Sequence, residues 1–155
     1  AQGTADFRVK LRYLGPTAEI DPLSSGVLRR QLGVYLASKN PCNRLYIMWR
    51  LINEKGQGGL VVQRKVNPGA KMSSECGNKG YETVPPATLA AVPALQPADG
   101  AVMRVKLSGP NLSVFVDDKL VWNGPINLAG LDPAEGAVGW RSDNLRAEFS
   151  MDVRR

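Results

Sequence analysis

The chain contains no histidine. Ser-His-Asp and Cys-His nucleophile systems are thereby excluded, and the commonest metal ligand is missing as well. Cysteine is scarce too, with only Cys42 and Cys76 and no Cys-x-x-Cys pair to mark a zinc or dithiol site. Aromatic residues make up 6% of the chain, thin for a protein that stacks successive bases. No apolar run approaches the ~18–20 residues of a membrane-spanning helix. Lys and Arg never gather into a block, although they outnumber Asp and Glu.

What is present describes a folded domain. The 155 residues are 43% hydrophobic and 22% charged, the balance of a globular chain long enough for one sizeable core. A single domain over 1–155 is expected. The formal charge of +6 favours anionic polymers or surfaces as partners. The basic residues are nevertheless scattered, as in Arg29-Arg30, Arg64-Lys65, Lys10 and Arg12, which is the pattern of a solvated basic face. The first residues, AQGTADF, are small like those a signal peptidase leaves behind, although a trimmed piece would look the same. A secreted, periplasmic or cell-surface location is expected. Cys42 in NPCNR and Cys76 in SECGNKG lie in loop-like contexts. A disulfide between them suits export and would contribute roughly 4 kcal/mol in the chain-entropy view, the alternative being two thiols in a reducing cell.

Alternation with a period of two dominates the pattern. FRVKLRYL (7–14) puts Phe7, Val9, Leu11 and Tyr13 on one face. RLYIMWRLI (44–52) puts Leu45, Ile47, Trp49 and Leu51 on one face and Tyr46, Met48 and Arg50 on the other. LVVQRKV (60–66) follows, and then an irregular stretch at about 67–97 that is too long for a plain connection. AVMRVKL (101–107), LSVFV (112–116) and LVW (120–122) read as a three-stranded meander, with Asp117-Asp118 as turn residues. AVGWRS (137–142) and RAEFSMDV (146–153) read as the final pair. The segment 24–38 fits both helical and strand spacing, and Gly33 favours a strand from about Gln31 onward. Strands at this spacing predict an all-β, two-sheet antiparallel sandwich or jelly roll.

VMRVKLSGPNLSVFVDDKLVWNG (102–124) and GAVGWRSDNLRAEFSMDV (136–153) carry a resemblance. They resemble the strand-turn-strand signature and the closing strands of the concanavalin A-like lectin/glucanase superfamily, the laminin G-like jelly rolls. The resemblance covers about a third of the chain. It implies a concanavalin A-like jelly roll with the last strand beside the first. It leaves function open, because that superfamily holds lectins, glycan-binding modules, glycoside hydrolases, polysaccharide lyases and adhesion domains.

The catalytic signatures of such enzymes are missing. The glucanases carry Glu-x-Asp-x-x-Glu on one strand, whereas here Glu19 and Asp21 share only the first spacing and Pro22 interrupts it. The lyases use a Gln-x-His strand, which a chain without histidine cannot supply. No catalytic residue is therefore assigned, and a divergent hydrolase or lyase stands as one alternative. No cofactor or dedicated metal site is expected. Calcium is the one cation considered, at Asp143-Asn144 or Asp117-Asp118, and both pairs lack the density of oxygen ligands such a site needs.

Sugar recognition needs an aromatic platform and fixed hydrogen-bonding groups in a concavity. Tyr46 is expected to stack, Arg50 and Arg141 to anchor hydroxyl or carboxylate groups, and Glu75 and Asn78 to finish a polar rim. Arg64 and Asp143 complete the candidate set. A Cys42–Cys76 bridge would bring the 75–81 loop beside strand 44–52. By parity Trp140 is expected in the core with Val138, while Arg141 and Asp143 point away from it and either pair or line the groove. Trp49 and Trp122 are also expected in the core. The expected function is lectin-like, non-catalytic binding of a glycan or acidic polysaccharide, with adhesion to a protein partner as the rival. Nucleic acid is set aside for want of aromatics and of any RRM, OB or zinc-finger signature.

Overall fold

The computed structural model describes residues 5–23, 26–51 and 58–154, and these form two antiparallel sheets packed face to face. In chain order the strands are β1 (Ala5–Pro16), β2 (Gln31–Asn40), β3 (Asn43–Arg50), β4 (Gly59–Lys65), β5 (Tyr81–Thr83), β6 (Thr88–Leu89), β7 (Gly100–Ser108), β8 (Asn111–Val116), β9 (Lys119–Pro125), β10 (Ala137–Asp143) and β11 (Leu145–Arg154). A single-turn helix, α1 (Ser73–Cys76), lies between β4 and β5. One sheet has the order β11-β1-β7-β8-β9-β6 and the other β10-β2-β3-β4-β5. The segment from Gln31 onward is a strand, as its glycine and context suggested.

Alternation builds the core directly. On β1, Phe7, Val9, Leu11 and Tyr13 are buried while Lys10 and Arg12 are exposed. They meet Met103, Val105 and Leu107 of β7 and Leu112 and Val114 of β8 in one apolar cluster. Leu32, Val34, Ile47, Trp49 and Val62 face them from the second sheet. Full burial of each large side chain is worth about 1.5–3 kcal/mol, so the inward rows of the strands suffice to fix register. Trp122 joins this core through a register shift opposite Val114 and Phe115, which turns both Val121 and Trp122 inward. The predicted turn at Asp117-Asp118 closes β8 onto β9 with both residues at positive φ, the conformation of the tight hairpin turn that matches strand twist.

Two expectations are corrected. The last two strands do not pair with each other: β10 pairs with β2 and β11 with β1, so the chain changes sheets at Asn144. Asn144 holds that corner at φ 60°, a left-handed conformation that asparagine tolerates. Trp140 is not in the core but 54% exposed, with its ring stacked on Phe149 of β11 at 5.7 Å between centroids. Its parity is inward, since it pairs with buried Val34. Strand β10 is the sheet edge, however, so an inward side chain there meets the flank of the sandwich. Trp49 and Trp122 are buried as expected.

Candidate functional site

The outward face of the five-stranded sheet is lined by every second residue of its strands, because side chains alternate across a pleat. Register places Gly139, Tyr35, Tyr46 and Gln63 in one row across β10, β2, β3 and β4. A second row runs through Arg44, Lys65 and Tyr81. A third joins Asp143, Gln31, Arg50 and Gly59.

Three tyrosines form the centre. Tyr46 is 5% exposed and meets Tyr35 edge-on at 6.1 Å and Tyr81 tilted at 6.0 Å. Glycine makes room for them. A Cβ at Gly139 would fall 2.4 Å from the Tyr35 ring, and one at Gly33 would fall 2.0 Å from the Ile47 carbonyl and 2.9 Å from Met48 Sδ. Tyr35 therefore packs over Gly139 of β10, and Met48 over Gly33 of β2.

Cations close over the rings. The Arg44 guanidinium carbon is 3.9 Å from the Tyr35 centroid, Lys65 Nζ 4.8 Å from Tyr81 and the Arg141 carbon 5.2 Å from Tyr46. Arg141 Nη1 also donates to the Tyr81 hydroxyl at 3.3 Å, and its Nε forms an ion pair with Asp143 at 2.9 Å. Gln31 Nε2 donates to the same Asp143 carboxylate at 2.8 Å. Arg44 Nε donates to Ser38 Oγ at 2.8 Å, which orients it over Tyr35.

Lys65 is only 4% exposed, and no described carboxylate pairs with it. It donates to the Gly77 carbonyl at 2.6 Å. Burial pushes its ammonium below the usual lysine range; Tyr46 opposes this, and the charges of Arg141 and Arg44 add to it. At the other end of the face, Arg50 is half-buried and its pKa is pushed down to about 10, by burial and then by the charge of Arg29. Among the described residues Arg50 Nε and Gln31 Oε1 are buried without hydrogen-bond partners, and these two residues face each other across β2 and β3.

The loop after β4 folds back on this face. Cys42 and Cys76 are joined, with Cα atoms 5.9 Å apart. Asn67 Nδ2 donates to the carbonyls of Cys42 and Lys79 at 3.1 and 2.9 Å, and Asn43 Nδ2 to Ala70 at 3.0 Å. The Glu75 carboxylate accepts the Met72 and Lys71 amides, and these bonds hold it below the usual glutamate range. Glu75 and Asn78 are exposed on this loop.

The predicted residues are thus partly assembled. Tyr46, Arg50, Arg141 and Asp143 share the outward face, with Arg141 and Asp143 both paired and lining it. Tyr46 is packed in the middle of the cluster, so Tyr35 and Tyr81 offer the more open rings. Arg64 stands apart. It has the inward parity of Leu45 and donates to the carbonyls of Asn127 (2.8 Å) and Ala129, fastening the 127–129 loop. Asn144 does not project into the face, since its amide holds the carbonyls of Asp21 and Arg29, each at 2.8 Å.

Sequence reasoning passed over Tyr35, Gln31 and Arg44. Tyr35 and Gln31 lie in the segment with mixed helix and strand spacing, where parity had no anchor. Arg44 was legible, because it shares the alternation of Tyr46, Met48 and Arg50.

No protein-family model and no curated protein matches the sequence. Similarity appears at the level of solved structures. A tetrameric galectin from the ball sponge Cinachyrella superposes with a TM-score of 0.57 at 13% identity, covering 99% of this chain and 90% of the sponge protein. The fold is a concanavalin A-like jelly roll. A galectin from Caenorhabditis elegans gives a TM-score of 0.55 at 15% identity over 100% of this chain and 87% of its own. A xylan β-1,4-xylosidase from Bacillus halodurans gives 0.54 at 9% identity, covering 96% of this chain but 27% of the enzyme. Jelly rolls of this kind thus occur both alone and within larger enzymes.

Proposed function

We propose that the protein binds a glycan without cleaving it, on the outward face of the five-stranded sheet, and that it works outside the reducing interior of the cell. One observation carries the reading: the cluster of Tyr35, Tyr46 and Tyr81, overlaid by oriented Arg and Lys groups, on a sheet of a fold shared with galectins. Pyranose rings offer C–H faces to tyrosine and hydroxyls to fork donors, and glycine-backed rings held by neighbours recognise them at small entropic cost. Among the described strand positions of this face Asp143 is the one carboxylate, and it is already paired. A retaining or inverting glycosidase needs two carboxyl groups across the scissile bond, which favours binding over hydrolysis. The Cys42–Cys76 bridge suits an oxidising compartment, and among the described residues no helix is long and apolar enough to cross a membrane.

Affinity electrophoresis of the oxidised protein through gels containing single polysaccharides tests the reading. At least one polysaccharide should retard it, and Tyr81→Ala should weaken that retardation about tenfold, a change of about 1.4 kcal/mol. Failure of every polysaccharide to retard the protein would end the glycan reading and turn attention to a protein partner.

A further inference from the structure

Resting on the glycan reading, we infer that the face selects a carboxylated polysaccharide, with the carboxylate seated among Arg44, Arg141 and Tyr81 above the buried Lys65.

The inference begins with a charge imbalance. Arg44, Lys65 and Arg141 each lie against a ring of the same three-tyrosine cluster, within 5.2 Å of its centroid. Among the described residues the one carboxylate bonded to this group is Asp143, held by Arg141 and Gln31. Two of the three cations therefore have no anion among the described residues, and one of these, Lys65, is 4% exposed. A buried ammonium normally keeps a carboxylate beside it, because desolvation of an unpaired charge is costly. Here its partner is one backbone carbonyl, Gly77, which satisfies a single proton of three. Cations crowded together without a counter-charge repel one another, and an anion brought by a ligand removes both penalties at once.

The geometry narrows the anion. Arg141 is fixed by Asp143 at Nε and the Tyr81 hydroxyl at Nη1, and Arg44 by Ser38 at Nε, so the donors not used in these bonds are held in planar groups that match a carboxylate. The Tyr35 and Tyr81 rings each lie about one ring's breadth from Tyr46, at 6.1 and 6.0 Å, and suit the sugar ring that bears the group. Lys65 lies behind these groups and acts as a positioning charge.

The test compares oligogalacturonate with the same oligosaccharide after reduction of its carboxyls to alcohols, and with dextran sulfate, by calorimetry at low and at physiological salt. The expected result is at least tenfold tighter binding of the carboxylated form at physiological salt, with the excess lost in both Lys65→Met and Arg44→Gln. Equal affinity for the reduced sugar overturns this inference and leaves the glycan reading intact. No binding of either sugar, in a protein that no other polysaccharide retards, removes both. Dextran sulfate binding as tightly, with all binding vanishing in salt, overturns it in favour of general polyanion attraction. Unchanged carboxylate preference in the folded Arg44→Gln protein overturns the placement.

Discussion

Lys65 Nζ reaches the carbonyl of Gly77 at 2.6 Å, joining strand β4 to the residue that follows Cys76. One hydrogen bond and one disulfide thus hold the same loop against the tyrosine face from two sides. The candidate site depends on that loop for the setting of Lys65 and Tyr81.

Breaking the bridge should therefore do two things. Replacing Cys42 and Cys76 by serine should cost about 2–4 kcal/mol, as expected for a loop of 34 residues. Urea unfolding with and without reductant measures that. The same variant should bind its glycan more weakly under conditions where it remains folded.

Lys65→Met should separate stability from binding. The buried ammonium favours its neutral form in the folded state, so fewer protons are bound there than in the unfolded chain as pH approaches the ordinary lysine value of 10.5. Wild-type stability should accordingly gain a rising contribution with pH from the lowered Lys65 value up to 10.5. The methionine variant should lose that contribution. At neutral pH it should be no less stable than wild type, or gain about 1 kcal/mol, because an apolar chain of similar length replaces an unpaired buried charge. Chemical denaturation across pH 7 to 11 supplies the check.

Asp6 predicts the acid limb. Arg104 grips its carboxylate with Nε at 3.0 Å and Nη2 at 2.8 Å, and this hydrogen bonding lowers its pKa below 3.8. The contribution is complete above the unfolded value and is lost as pH falls through the folded one. Both side chains are about one-third exposed, so it is worth no more than about 1 kcal/mol. Asp6→Asn should lower stability by that amount at pH 6, and the difference from wild type should shrink as pH falls through the lowered Asp6 value.

Asn144 predicts local opening. Its side chain accepts the Asp21 amide at 2.8 Å and donates to the Asp21 and Arg29 carbonyls. Asn144→Gly keeps the left-handed backbone and loses these bonds, whereas Asn144→Ala loses both. Hydrogen exchange at the Asp21 amide should quicken in both variants. The alanine variant should be the less stable, by about 1 kcal/mol, the cost of a left-handed backbone at a residue with a Cβ.

Trp140 predicts a contrast among the three tryptophans. Iodide should quench its fluorescence and spare that of Trp49 and Trp122. Trp140→Ala should cost about 0.5–1.5 kcal/mol for the lost stack on Phe149, against about 3–5 kcal/mol for Trp49→Ala. Equal losses at the two positions would show that the flank is packed as tightly as the core.

The amino-acid sequence by itself determined the strands and their faces. Alternation at Phe7, Val9, Leu11 and Tyr13, or at Leu45, Ile47 and Trp49, has a period that belongs to the pleat, so burial follows from it without knowledge of partners. The same parity turned Tyr46 and Arg50 away from the core on one strand and Arg141 and Asp143 on another, and the two cysteines suggested their own bridge.

Tertiary structure decided which strands neighbour which. Trp140 has the parity of a core residue but the position of an edge residue, and only pairing order distinguishes these. Two adjacent final strands belong to different sheets because Asn144 turns the chain between them. Arg44, Tyr35, Lys65 and Tyr81 lie far apart in the chain and meet only when β2, β3, β4 and β5 align. Charge balance at a site is a property of that meeting, so an ammonium without a counter-charge among the described residues became visible only in the folded protein.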